Sequence, residues 1–124
     1  MWSHGTVCWS ELNTPDPERA KCFYADAVGW SFDPMPMEGG TYWVAKAGET
    51  TVGGIFEMRG PAFANVPEHW MTYIAVDDFD ARVEKAKAAG ASVIRPPFDI
   101  QGVGRIAILR GPGGAVFALM TPSS

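Results

Sequence analysis

Residues 7–16 read VCWSELNTPD, and the stretch WMTYIAVDD at residues 70–78 sets Trp70 against Trp9 and Asp77 against Asp16, each 61 positions on (70 − 9 and 77 − 16). In both places an apolar, β-prone run leads into an acidic residue suited to cap a helix. A chain of 124 residues that repeats a strand-to-helix signal at its midpoint reads as two similar half-units.

The elements that follow each signal agree. After Asp16, Pro17 suits the first helical position and Glu18 complements the helix dipole. Ala20, Phe23, Tyr24, Ala27 and Val28 recur at helical spacing, which predicts a packed stripe, and Gly29 is placed to end the helix. Three strand-like segments come next, WSFDPM, TYWVAKA and VGGIFEM, parted by the turns MEGG and GET. Residues 59–68, RGPAFANVPE, carry turn chemistry without a period and read as a linker.

The second half then starts again at His69, where HWMTYIAV is a strand and Asp77 or Asp78 caps. Phe79, Val83, Ala86 and Gly90 fall on one side of a helix over FDARVEKAKAAG, with Gly90 ending it. The segments SVIR, GVGRIAILRG and AVFALM follow as strands, the first two separated by a turn around Pro96 and Pro97, the last two by GPGG. The spacing predicts an α+β domain over 1–124: two β-α-β-β-β units, about 5–58 and 69–121, form curved mixed sheets with one face under a helix and a concave pocket on the other.

Composition excludes several roles. With 47% hydrophobic and 19% charged residues the chain can bury a core, and a net charge of −4 with scattered basic residues argues against nucleic acid and against an anionic membrane. No apolar run approaches the roughly 18 residues of a membrane span, and MWSHGTV lacks a signal-peptide pattern, so a cytoplasmic location is expected. Cys8 and Cys22 have neither disulfide density nor zinc spacing and are expected to be reduced core residues, while His4 is expected at the exposed terminus. GPGG and GVGR open no helix after a strand and are turns rather than phosphate loops.

The pieces TPDPERAKCFYADAVGW, YIAVDDFDARVEKAKAAGASV and GRIAILRGPGGAVFAL resemble the vicinal oxygen chelate superfamily of glyoxalases, extradiol dioxygenases and bleomycin-resistance proteins. More narrowly, HWMTYIAVDDFDA with PPFDIQGVGRIAILRGPGGAVFAL is similar to its hydroxylase, or 27/30 kDa antigen-like, subgroup. The resemblance implies a glyoxalase-like fold, a homodimer and, in catalytic members, a divalent metal held by His and Glu on the first and last strands of each unit. Carried over, those positions fall on Trp9, on Met71 (Trp70 if the register is one off), on Ala118 and on Gly54, with Glu57 nearby. Indole, thioether and methyl cannot replace imidazole and carboxylate, so no cofactor is expected.

On the concave face Glu11 shares the side of Trp9, and Tyr73 shares that of Met71, because strand side chains alternate. Trp43, Phe56, His69, Trp70 and Arg105 are further candidates for the pocket wall. A buried carboxylate needs a partner, which points to Arg105, the Tyr73 hydroxyl or a ligand beside Glu11. The residues therefore suggest a metal-free pocket for a small, planar organic molecule, as in a bleomycin-resistance protein. The alternative is a lyase, isomerase or dioxygenase-type enzyme with Glu11 and Tyr73 as acid and base, or with a relocated metal on Glu11, Glu57 and His69. A third reading is a scaffold whose pocket is filled by its own side chains.

Overall fold

The computed structural model describes residues 2–37 and 39–123. The chain divides into two compact units, Trp9–Trp70 and Met1–Cys8 with Met71–Ser124. The first contains most of β1 (Val7–Thr14), then α1 (Pro17–Val28), β2 (Ser31–Met37), β3 (Gly40–Ala47) and β4 (Thr50–Glu57), followed by a 3-10 turn at Pro61–Phe63. Its strands run in the order β2-β3-β4-β1, with β1 parallel to β4 and the other pairs antiparallel. The second holds most of β5 (His69–Ala75), then α2 (Phe79–Ala88), β6 (Ser92–Ile100), β7 (Gly104–Arg110) and β8 (Val116–Pro122). Their order is β5-β8-β7-β6, again with the first strand parallel to the last. The β-α-β-β-β pattern with mixed sheets is thus present twice.

Helix α1 starts and stops as its sequence dictates, whereas α2 is capped at Asp78 and ends on a C-cap at Ala89, one residue before Gly90. The Asp16 side chain accepts from the Arg19 N–H at 3.1 Å, Pro17 takes the first turn, and Gly29, at φ 77°, closes α1 in the left-handed region. In α2 the cap is Asp78, itself left-handed at φ 48°, an angle that aspartate tolerates better than most residues. The preceding Asp77 instead pairs with His4 at 3.1 Å and Arg82 at 3.4 Å; His4 is exposed, as expected, and the pairing ties it to the start of α2. The repeat is therefore offset by 62 positions (78 − 16), not 61, and Trp9 corresponds to Met71 rather than Trp70.

Other expectations are corrected. The α1 stripe is not packed as a whole: its buried arc is Pro17, Ala20, Lys21 and Tyr24, so Phe23 (59% exposed) and Val28 (58%) face outward. Cys22 lies on that outer surface, and Cys8 is only half-buried; both thiols are free. Pro96 and Pro97 make no turn, since β6 runs through them with register shifts on either side of Arg95. A strand paired on one side only, here with β7, can lose N–H donors without breaking a central ladder.

The cores differ in size. Around α2, Val76, Phe79, Val83, Ala107, Leu109 and Leu119 form one buried cluster. Around α1 the cluster is Leu12, Ala20 and Ile55, with Tyr24, Phe32 and Trp43 packed at its margin.

Candidate functional site

The chemistry concentrates on the face of the Trp9–Trp70 unit that α1 does not cover. Alternation along β1 puts Leu12 into the core under α1 and Glu11 on the opposite face, where it is only 7% exposed. Tyr42 of β3 donates its hydroxyl to Glu11 Oε2 at 2.9 Å, and the Asn13 side-chain amide donates to Oε1 at 3.3 Å. The indole Nε1 of Trp9 donates to the Tyr42 oxygen at 2.8 Å. An indole N–H can only donate, so the Tyr42 oxygen accepts there and its single proton is directed to Glu11. The chain of donors runs one way, from Trp9 through Tyr42 to the carboxylate. Burial, and then the adjacent Glu11 charge, hold the Tyr42 phenol well above its ordinary range.

The register explains how Tyr42 reaches a residue two strands away. Glu11 stands opposite Gly54 of β4, and Gly54 opposite Val44 of β3. A Cβ on Gly54 would fall within the Tyr42 hydroxyl and ring, so the phenol crosses β4 where β4 has no side chain. In the other unit Tyr73 stands opposite Ala118 on β8, the same parallel pairing of a first-strand residue with a small last-strand one. Tyr73 is buried at 7%, and Met71, two residues before it, at 3%.

The remaining candidates separate. Trp43 lies on the helix side, packed at the Leu12 cluster with the Lys21 ammonium 3.1 Å from its ring centre. Trp70 stands with α1 too, its Nε1 donating to the Tyr24 hydroxyl at 3.1 Å and its ring set edge-on to Tyr24 and Trp30. Arg105 bonds Asp80 and Asp99 and lies over Phe79 of α2, so its guanidinium faces the helix and not the opposite face. His69 meets the Pro67 carbonyl oxygen through Nδ1 at 2.8 Å. Phe56, two residues from Gly54, pairs with Phe63 and helps line a groove of about 190 Å³ with Thr41, Glu57 and Arg59. A larger hollow of about 470 Å³ lies on the outside of α1, among exposed Arg19, Cys22, Phe23, Asp26 and Ala27. It holds no buried polar group, so its size does not make it the better candidate.

Tyr42 is the residue that sequence reading missed. The neighbouring Trp43 drew attention as the larger aromatic, but adjacent strand residues face opposite ways. The signal was the pair Gly53-Gly54 inside a strand, which marks a close approach of something to the backbone.

The positions implied for a metal carry an indole, a hydrogen, a thioether and a methyl, at Trp9, Gly54, Met71 and Ala118. Among the described residues no three His, Cys, Asp or Glu side chains gather into a possible ligand set. The relocated set does not form either: Glu11 is bonded by Tyr42 and Asn13, Glu57 by Arg59 at 2.8 Å, and His69 lies at Pro67. These donors do not fit a divalent cation. Among the described residues no helix is long and apolar enough to cross a membrane.

Known proteins share the architecture. “Putative glyoxylase CFP32” of Mycobacterium tuberculosis is 46% identical over 120 residues, which is 96% of this chain and 45% of that protein. The anthracycline biosynthesis protein DnrV of Streptomyces peucetius is 30% identical over 93% of this chain and 46% of its own length. The chain therefore spans less than half the length of these relatives. Among solved structures, hypothetical protein BH1468 from Bacillus halodurans superposes with a TM-score of 0.74 at 13% identity, covering 98% of this chain and 97% of that one. Methylmalonyl-CoA epimerase from Mycobacterium tuberculosis gives 0.69 at 13%, covering 100% and 94%. At such identities both show the fold alone. The sequence profile of one family matches residues 6–119, and with two β-α-β-β-β units behind that match the chain belongs to the Glyoxalase/Bleomycin resistance protein/Dioxygenase superfamily.

Proposed function

We propose that this domain binds a small, planar organic molecule against the Trp9–Tyr42–Glu11 face, without a metal centre. The observation that carries the reading is Glu11. A sheet face that only had to pack would bury aliphatic side chains, whereas this one buries a carboxylate and surrounds it with an indole, a phenol and an amide. Such a setting suits recognition of a flat molecule with polar substituents, and the resemblance to an anthracycline biosynthesis protein agrees with a fused-ring ligand. In this reading the chain works in the cytoplasm as a homodimer; sedimentation equilibrium separates dimer from monomer.

Titration with an anthracycline and with smaller planar phenols, followed by quenching of tryptophan emission, tests the proposal. Saturable binding that weakens at least tenfold in Glu11→Gln is the expected result. Wild-type affinity in that variant, or no binding to any planar probe, removes it.

A second reading is favoured by the 46% identity to a protein named as a glyoxylase: an enzyme in which Glu11 exchanges a substrate proton. Tyr42 donates a hydrogen bond to Glu11 in that role, while Tyr73 occupies the place equivalent to Glu11 in the other unit. Turnover by wild type that persists in Glu11→Gln would exclude it.

A further inference from the structure

We infer that Tyr42 and Gly54 form one positioning device for Glu11, so that residue 54 decides what the site can bind; this rests on the ligand-binding reading above. Three strands are involved, in the order β3-β4-β1, and adjacent strands lie roughly 4.8 Å apart. A tyrosine on β3 reaches a carboxylate on β1 only by lying across β4. The residue it crosses is Gly54, where an added Cβ would run into both the phenol ring and its oxygen. Any side chain at 54 must expel the phenol, and with it go the bond to Glu11 and the acceptor for Trp9. Gly54 is also a position where the family resemblance implies a metal-ligating side chain. In this chain the same volume belongs to Tyr42, and the two solutions exclude each other. Tyr42 thus acts as a positioning residue: it fixes the carboxylate's orientation and the direction of its hydrogen bond, and it keeps Trp9 in register with both.

Two measurements test this. Without ligand, Gly54→Ala is compared in the Tyr42 and Tyr42→Ala backgrounds. Its melting temperature should fall by roughly 5–15 °C in the first and by less than about 3 °C in the second, since the clash is then gone. Equal shifts in both backgrounds overturn the device. With ligand, Tyr42→Phe keeps the ring and removes the hydroxyl. It should lose at least tenfold in anthracycline affinity and shift the near-ultraviolet circular dichroism assigned to Trp9 by difference with Trp9→Phe, while its melting temperature falls by no more than roughly 12 °C and the variant stays folded at the assay temperature. A structural role alone would move the melting point and leave affinity in the folded protein unchanged. If Tyr42→Phe binds as wild type does while Glu11→Gln is impaired, the positioning role falls and the binding reading stands. If wild type binds no planar probe, the binding reading falls and takes the positioning role with it.

Discussion

The two units share a backbone plan and fill it differently. In each, the first strand runs parallel to the last, and an inner residue, Glu11 or Tyr73, stands opposite a small one, Gly54 or Ala118. Among the described residues, the buried cluster around α2 has six members. The cluster around α1 has three, and the unit adds a hydrogen-bonded acid on its other face together with an aromatic margin of Tyr24, Phe32 and Trp43. The contrast teaches that a duplicated fold can divide its labour, with apolar packing concentrated in one copy and polar chemistry in the other.

The hardest test of that division removes the largest apolar anchor. Phe79→Ala, at the first residue of α2 and only 7% exposed, should cost about 3–5 kcal/mol, measured by urea unfolding. A loss below about 1 kcal/mol would mean that the α2 core is not the principal apolar anchor. Next in size is the polar network. Removing the Tyr42 hydroxyl takes a donor from a buried carboxylate, so Tyr42→Phe should cost about 1–3 kcal/mol at neutral pH. A neutral or stabilising result would show that Glu11 is satisfied without the phenol.

The same hydroxyl gives a pH signature. The folded phenol is held above the ordinary 10.0, chiefly by burial and then by Glu11, so below that pH both folded and unfolded chains keep the proton and the contribution is constant. Above it the unfolded chain releases the proton and the folded chain retains it, so stability should fall by about 1.4 kcal/mol per pH unit for this group. The difference between wild type and Tyr42→Phe isolates that slope. Equal slopes would place Tyr42 in water.

How far these features could be read from the sequence depends on what each signal encodes. Asp16, Pro17 and Gly29 announce α1 because capping is local chemistry, and the structure uses all three as expected. The offset was misjudged by one because Asp77 and Asp78 are equally good caps in isolation. Asp77 is engaged instead by Arg82, five residues on, and by His4, which lies 73 positions away and outside any local window. The facing of Trp43, Trp70 and Arg105 was illegible for a related reason: strand direction alternates, but which alternate is buried depends on register with neighbours. Proline-bearing β6 likewise follows from its place at the end of the strand order, which no local window contains. Glu11 could be found early because alternation puts it on the side of Trp9, and a carboxylate on an inward strand face needs a partner.

The smallest expected effect sharpens the contrast between the helices. Phe23 sits on the apolar stripe of α1, yet 59% of it is exposed, and its ring meets the edge of Tyr24 at 4.8 Å between centroids. If the buried arc of α1 is Pro17, Ala20, Lys21 and Tyr24, then Phe23→Ser removes little buried surface. Unfolding free energy should change by no more than about 0.5 kcal/mol, against the several lost in Phe79→Ala. The two phenylalanines thus form a matched pair, one on each helix of the repeat. A loss of 2 kcal/mol or more at Phe23 would mean that its outer face is covered in solution. Dilution separates that cause from internal packing, because cover supplied by another copy is lost as concentration falls whereas an intramolecular contact is not.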